Sequence, residues 1–210
     1  MEPLLSLDHV AVAYGQTPVL GDATLSVVRG EVVALRGPNG SGKSTLLRVL
    51  ATLLRPASGS GVVFGERLGT REVESVRHRI GLIAHQPALY AELTLEENLA
   101  LVADLAAVVH TSPAAALEAV GLAGAAHRRA GDSSQGMLRR ADLARLLITE
   151  PDLLLLDEPH SGLDVDALGL VDALVRRCLE RGGAAVVVSH LTDLGVDERT
   201  VSIVGGKLVA

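Results

Sequence analysis

Apolar residues alternate with polar ones in Leu4 to Tyr14 and again in Val19 to Val27, with Gly15-Gln-Thr-Pro18 between them. That alternation predicts an antiparallel pair of strands with one solvated face. The alternation is lost in Glu31-Val-Val-Ala-Leu35, Ile80-Gly-Leu-Ile83, Leu153-Leu-Leu-Leu156 and Ala184-Ala-Val-Val-Val188. Short runs that are apolar throughout read as buried strands, and the last two as the middle of a parallel sheet. Pro56-Ala-Ser-Gly-Ser-Gly61 reads as a turn cluster leading into a short strand, Val62-Val-Phe64. Helical spacing of apolar residues marks Thr45 to Leu54 and Ala167 to Arg181, the second stopping at Gly182-Gly183. From Leu93 to about Leu147 the chain is rich in alanine and leucine at helical spacing, broken at Thr111-Ser-Pro113 and Gly131-Asp132. Thr200 to Val209 reads as a hairpin turning at Gly205-Gly206. The expected architecture is an α/β core interrupted by a helical insert.

Composition narrows the function classes. A chain of 210 residues fits one large domain, or a core with a smaller insert. Its net charge of −6 argues against a nucleic-acid-coating surface, so no nucleic-acid partner is expected. The single cysteine, Cys178, excludes an intramolecular disulfide and favours a reduced, cytoplasmic compartment, with the thiol packed rather than reactive. Although 48% of residues are hydrophobic, no run approaches the roughly 18 apolar residues of a membrane span. The segment Met1-Glu-Pro-Leu-Leu5 has neither the basic start nor the apolar core of a signal peptide. The expectation is a protein soluble by itself, which works at a membrane only by docking onto a separate membrane subunit.

The candidate chemistry sits in Gly37, Pro38, Asn39, Gly40, Ser41, Gly42, Lys43, Ser44 and Thr45. They match G-x-x-x-x-G-K-[ST], between a predicted buried strand and a predicted helix, the context that gives this motif its meaning. The glycines let backbone N–H groups turn inward around a β-phosphate, and the helix N-terminus adds partial positive charge. Lys43 would reach the β- and γ-phosphates and the Ser44 hydroxyl would bind Mg²⁺. A nucleoside triphosphate is the expected ligand. A second element, Leu153-Leu-Leu-Leu-Asp-Glu-Pro159, is an apolar strand ending in two acids. Asp157 falls at the carboxyl end of that strand, where ligands of open α/β sheets bind, and would orient the Mg²⁺ shell, in part through water. Glu158 would polarise the attacking water.

Other residues then fall into a recognisable order. Tyr14 precedes the phosphate loop and Gln86 follows the strand Ile80 to Ile83; Ser134-Gln-Gly-Met137 precedes the acidic strand. Ser161-Gly-Leu-Asp164 comes just after it, and Ser189-His190 ends the last long strand. Across essentially the whole chain this series resembles the ATP-binding-cassette ATPases, the motor subunits of membrane transporters. The resemblance implies an α/β P-loop core with a small antiparallel β region, residues 1–86 and 148–210, and a helical subdomain, residues 87–147, within one domain. It implies that Tyr14 stacks on adenine and that Gln86 senses Mg²⁺ and the γ-phosphate. It further implies that Ser134 and Gly136 contact ATP held by an opposite subunit, and that Asp164 contacts that subunit. His190 would hold the attacking water near Glu158 and bond the γ-phosphate. The implied active species is a homodimer, or a pair with another cassette subunit, that binds ATP and Mg²⁺ between subunits. It would hydrolyse ATP on the inner face of the cell membrane, docked to a transmembrane transporter subunit.

The chain departs from the family at one motif. Where the usual form is L-S-G-G-Q, this sequence has Ser133-Ser-Gln-Gly-Met137, with Gln135 for a glycine and Met137 for a glutamine. A positive φ at Gln135 would make its side chain costly, putting the hydrolysis rate in question. His85-Gln-Pro-Ala-Leu-Tyr90 and Leu93-Thr-Leu-Glu-Glu-Asn-Leu99 are similar to the haem-exporter branch that serves cytochrome c maturation. The second stretch is also similar to exporters of drugs and polysaccharides, which stay as the alternative beside a soluble, non-transport cassette ATPase. His9, His78, His85, His110, His127 and His160 show no metal-ligand spacing and are expected to be structural or on the surface.

Overall fold

The computed structural model describes residues 3–188 and 196–209. Ser189 and His190 lie outside the described residues. Along the chain come β1 (Leu5–Tyr14), β2 (Thr17–Val27), β3 (Val32–Arg36) and α1 (Lys43–Leu50). Next are β4 (Ser58–Val63), β5 (Glu66–Arg67), β6 (Ile80–Ile83), α2 (Leu95–Leu105), α3 (Pro113–Ala119) and α4 (Gln135–Thr149). The order closes with β7 (Leu153–Asp157), α5 (Gly169–Glu180), β8 (Ala184–Val188), β9 (Arg199–Val204) and β10 (Lys207–Val209). The strands form one ten-stranded sheet in the order β5-β4-β1-β2-β10-β9-β3-β8-β7-β6. Its parallel half, β9-β3-β8-β7-β6, is held in register by pairs such as Val33 with Val186, Leu155 with Val186, and Ile83 with Leu156. Every residue of β7 and β8 is buried, which is why these runs show no polar alternation.

The antiparallel half is bent by a bulge at His9, whose φ of 48° is left-handed and where the pairing of β1 with both β2 and β4 shifts register. Opposite the bulge lies Gly59, where a Cβ atom would stand 2.3 Å from the His9 carbonyl oxygen. Ser58 to Gly61 is therefore strand, not the turn expected from its composition. Gly59 admits the bulged partner backbone rather than reversing the chain, and Gly61 leaves room for the side chains of Leu7 and Leu68. The connection between β1 and β2 is also tighter than expected, with Tyr14 already paired to Thr17.

Helix α1 is shorter than the periodicity of Thr45 to Leu54 suggests. Thr52 takes a φ of 61°, and Arg77 donates to both its side-chain oxygen (2.9 Å) and its carbonyl (3.1 Å). The guanidinium thereby satisfies an end that the apolar pattern alone would extend. Helix α2 starts at a capping box in which Thr94 accepts from the Glu97 amide and Glu97 accepts from the Thr94 amide. Such a cap stabilises by about 1 kcal/mol. Ser112 caps α3, with Pro113 in its first turn, so the expected break there is a helix start. Gly182, with φ 75°, follows the end of α5.

Three apolar clusters fill the interior. One lies between the sheet and α1, one between the parallel strands and α4–α5, and one joins α2, α3 and α4. Cys178 belongs to the second, and burial pushes its thiol up to about 11, so it packs as a small apolar group. Among the described residues no helix is long and apolar enough to cross a membrane.

His160, in the loop after β7, is held below its usual 6.5 by burial, although Asp172, 3.8 Å away, pulls the other way. The unfolded chain therefore takes up this proton first. The neutral imidazole contributes stability that is present above pH about 6.5 and lost as pH falls through the depressed folded value. Thermal unfolding followed across that window is expected to show a shallower acid decline for His160→Asn than for the parent.

Candidate nucleotide-binding site

Strand β3 ends at Arg36 and α1 begins at Lys43, so the phosphate loop rises from the carboxyl end of a buried parallel strand. Its shape depends on two glycines. Gly42, at φ 105°, is the residue before α1, and a Cβ there would lie 2.9 Å from Leu20 and 3.1 Å from Val19. A Cβ on Gly37 would lie 2.8 Å from Ser41 Oγ and 2.9 Å from the Ile203 carbonyl. The loop is pressed between β2 and β9, and side chains at these positions would push it outward. Lys43 is buried, with Nζ donating to the carbonyl oxygens of Gly37 (2.8 Å) and Pro38 (3.0 Å). The loop closes around its own ammonium, placing that charge beside the backbone that would receive phosphate. Ser41 Oγ is buried with no hydrogen-bond partner among the described residues.

A cavity of about 290 Å³ opens beside this loop, lined by Ser44, Ala84, His85, Gln86 and Asp157, with Leu47, Arg48 and Leu82 behind them. The three expected metal-site residues, Ser44, Gln86 and Asp157, thus meet from three elements: the start of α1, the segment after β6, and the end of β7. A hydroxyl, an amide oxygen and one buried carboxylate suit a cation that takes its remaining ligands from phosphates and water. The glycine cradle and the Ser41 hydroxyl fit a phosphate chain alongside. Glu158 follows Asp157 with a φ of 49°, an uncommon backbone for a side chain, held by its N–H donating to Val188 O (2.8 Å). Its Oε2 lies 3.9 Å from His85 Nδ1. His85, expected to be structural or on the surface, is exposed on the cavity wall beside the candidate catalytic acid.

Tyr14 is half-exposed near the tip of the β1–β2 hairpin, whose second strand supplies Val19 and Leu20 to the phosphate loop. Ser134 and Gly136 do not line the cavity. Ser134 is exposed at the start of α4, where its hydroxyl accepts from the Met137 amide (3.3 Å). Gln135 is the first residue of α4 and is not among the residues of positive φ, so its side chain carries no backbone strain. Gly136 is the constrained position, because a Cβ there would stand 2.9 Å from the Gly162 carbonyl. Asp164 caps a short turn by accepting from the Ala167 amide (3.0 Å). His190 lies outside the described residues.

Two buried residues of α4 that the motifs did not single out reach this site. Arg139 donates to the carbonyls of Ala84 (2.7 Å), His85 (2.6 Å) and Ser161 (3.3 Å). Asp142 accepts from the Ala88 amide (3.3 Å) and from Arg145 (2.8 Å). Burial pushes the Arg139 guanidinium down from its usual range and the Asp142 carboxyl up. The signal was in the sequence as Arg139, Asp142 and Arg145 at helical spacing on a largely buried helix.

The family model described as ABC transporter matches residues 20–161, so the chain belongs to the ABC transporter family. It is 36% identical over 95% of its length to the cytochrome c biogenesis ATP-binding export protein CcmA of Ruegeria pomeroyi, covering 90% of that protein. It is 40% identical over 91% of its length to the aliphatic sulfonates import ATP-binding protein SsuB 2 of Burkholderia lata, covering 68% of that protein. Among solved structures, a dimeric ATP-binding cassette in a post-hydrolysis state with ADP and Pi superposes with a TM-score of 0.85 at 25% identity, covering 97% of this chain and 96% of that one. The chain binds ATP and is an ATPase of the ATP-binding-cassette type, with the α/β P-loop fold of that class.

The contact of Gly136 with Gly162 sets a direct expectation. Gly136→Ala should lower stability in urea denaturation by about 1–3 kcal/mol, the usual cost of overpacking. Gln135→Ala, beside it and exposed, should stay within about 0.5 kcal/mol of the parent.

Proposed function

We propose that this protein is the ATP-hydrolysing subunit of a transporter, working as a dimer on a separate membrane subunit and driving haem export for cytochrome c biogenesis. The observation that supports the ATPase site best is the convergence of Ser44, Gln86 and Asp157 on one cavity beside Lys43 and Glu158. Lys43 would exchange its loop carbonyls for the β- and γ-phosphate oxygens, and the amides of residues 40–45 would hold the same phosphates. When bound, Mg²⁺ would neutralise phosphate charge, held by the Ser44 hydroxyl, Gln86 and, partly through water, Asp157. Glu158 would orient the attacking water in line with the γ-phosphate and draw off its proton, with His190 beside it. Tyr14 would stack on adenine. Ser134 and Gly136 would close on ATP held by the other subunit, in keeping with an α4 start that is exposed and does not line the chain's own cavity. Residues 87–147 would act as the helical subdomain that couples the site to the membrane partner, at the inner face of the membrane.

The haem assignment rests on the relative from cytochrome c biogenesis, matched over nearly the whole of both chains. Sulfonate import is the second reading, because a relative of that kind is as similar in identity.

Glu158→Gln should still bind ATP but fall at least about 10²-fold in turnover, since general-base catalysis contributes about that much. It should also run as a dimer in size-exclusion chromatography with ATP and Mg²⁺. A monomer, or turnover near the parent's, would contradict the site.

A strain lacking this protein should make and export c-type cytochrome polypeptides without covalent haem, seen as loss of haem-stained bands in membrane fractions. The Glu158→Gln copy should not restore them. Normal haem staining together with failure to grow on an alkyl sulfonate as sulfur source would instead favour the import reading.

A further inference from the structure

Gln86 is held on both sides by the same helix. The two carbonyls before it, of Ala84 and His85, accept from Arg139 Nη1 and Nη2, and the amide two residues after it, of Ala88, donates to Asp142 Oδ1. The third arm of the guanidinium, Nε, donates to the carbonyl of Ser161, whose own amide donates back to Glu158 O (3.0 Å). Arg139 and Asp142 are 3% and 0% exposed, yet they hardly serve one another. Arg139 Nη1 stands 3.7 Å from Asp142 Oδ2, which has no hydrogen-bond partner among the described residues. Buried charges contribute little to stability, and apolar replacements of similar volume are often neutral or stabilising. Asp142 pairs instead with Arg145 (2.8 Å), and the Arg139 guanidinium is spent on backbone carbonyls, not on its neighbour. Asp157 and Glu158 are close enough to favour the charged guanidinium against its burial.

We propose that Arg139 and Asp142 are positioning residues for the hydrolytic reaction: they grip the chain on either side of Gln86 and the loop after Glu158, referencing both to α4. The proposal rests on the reading of Gln86 as a ligand in the Mg²⁺–phosphate site. Helix α4 is capped by Ser134, the residue expected to meet ATP on the opposite subunit. A shift of α4 is therefore passed to Gln86 and to the Glu158 loop together, through three hydrogen bonds of one planar group. Lysine carries the charge but lacks the fork that joins three carbonyls.

Full-length variants separate positioning from packing. Arg139→Lys, and the volume-matched double variant Arg139→Met/Asp142→Leu, are assayed for steady-state ATPase as a function of Mg²⁺ at saturating ATP. Binding of a fluorescent ATP analogue in EDTA and thermal unfolding are measured beside it. The expected result for both is half-saturating Mg²⁺ raised about fivefold to tenfold and kcat lowered about tenfold, the scale of a sub-ångström misplacement. Mg²⁺-free nucleotide binding should stay within about twofold, because Lys43 and its loop are untouched; the double variant also strips Arg145 of its partner and should melt lower, whereas Arg139→Lys should unfold within a few degrees of the parent. Gln86→Ala should move the Mg²⁺ dependence in the same direction, and adding Arg139→Lys to it should have much less than the multiplied effect. An unchanged Mg²⁺ dependence in the Arg139 variants, or effects that multiply fully with Gln86→Ala, overturns the proposal while leaving the site standing. An inert Gln86→Ala removes the Gln86 assignment and the proposal with it.

Discussion

The site depends on three strands that have no exposed face. Because β3, β7 and β8 are buried on both sides, their carboxyl ends are fixed by packing rather than by loops, and each end delivers one part of the chemistry. The end of β3 carries the phosphate loop, that of β7 carries Asp157 and Glu158, and Val188 at the end of β8 accepts the Glu158 amide. Parallel pairing sets these ends side by side, Asp157 opposite Val188 and Leu35 opposite Val188. The sheet thus brings a buried lysine and two carboxylates together without any of them having to sit on a mobile connection. Pre-organisation of this kind is what phosphoryl transfer asks of a protein, since the chemistry is mainly positioning and charge neutralisation.

The elements that lie against this core differ in how much of them could be read from the residues. The buried strands, the phosphate loop and the acid pair were legible because their constraints are local: an apolar run, a glycine spacing, a strand end. Gly59 and Gly61 were misread because a glycine's purpose depends on what faces it: for Gly59 the bulge at His9, invisible without the neighbouring strand, and for Gly61 the side chains of Leu7 and Leu68. The end of α1 was misplaced for a similar reason, as Arg77 lies 25 residues from Thr52 in the chain. Gln135 illustrates the opposite case: substitution in the serine–glycine motif raised a concern about backbone strain, and the helical start of α4 removes it. The tight position is Gly136. Arg139 and Asp142 were visible as charges at helical spacing, but nothing in that spacing says which carbonyls they meet.

The stretches that suggested haem export have structural work of their own. In Leu93 to Leu99, Thr94 and Glu97 form the capping box. Asn98, almost fully buried, accepts from the Tyr90 amide (2.7 Å) and donates to the carbonyls of Tyr90 (3.0 Å) and Thr94 (2.9 Å). In His85 to Tyr90, the backbone is taken up by Arg139, Asp142 and Asn98 in turn. These residues tie the connection after Gln86 to α2 and α4, a requirement shared by any cassette that couples its cavity to helices beside it, whatever cargo its partner carries. That is why the same stretch reads equally well against exporters of different substrates. Tyr90 shows the division within one residue: its backbone is bonded on both sides to Asn98, while its side chain is exposed.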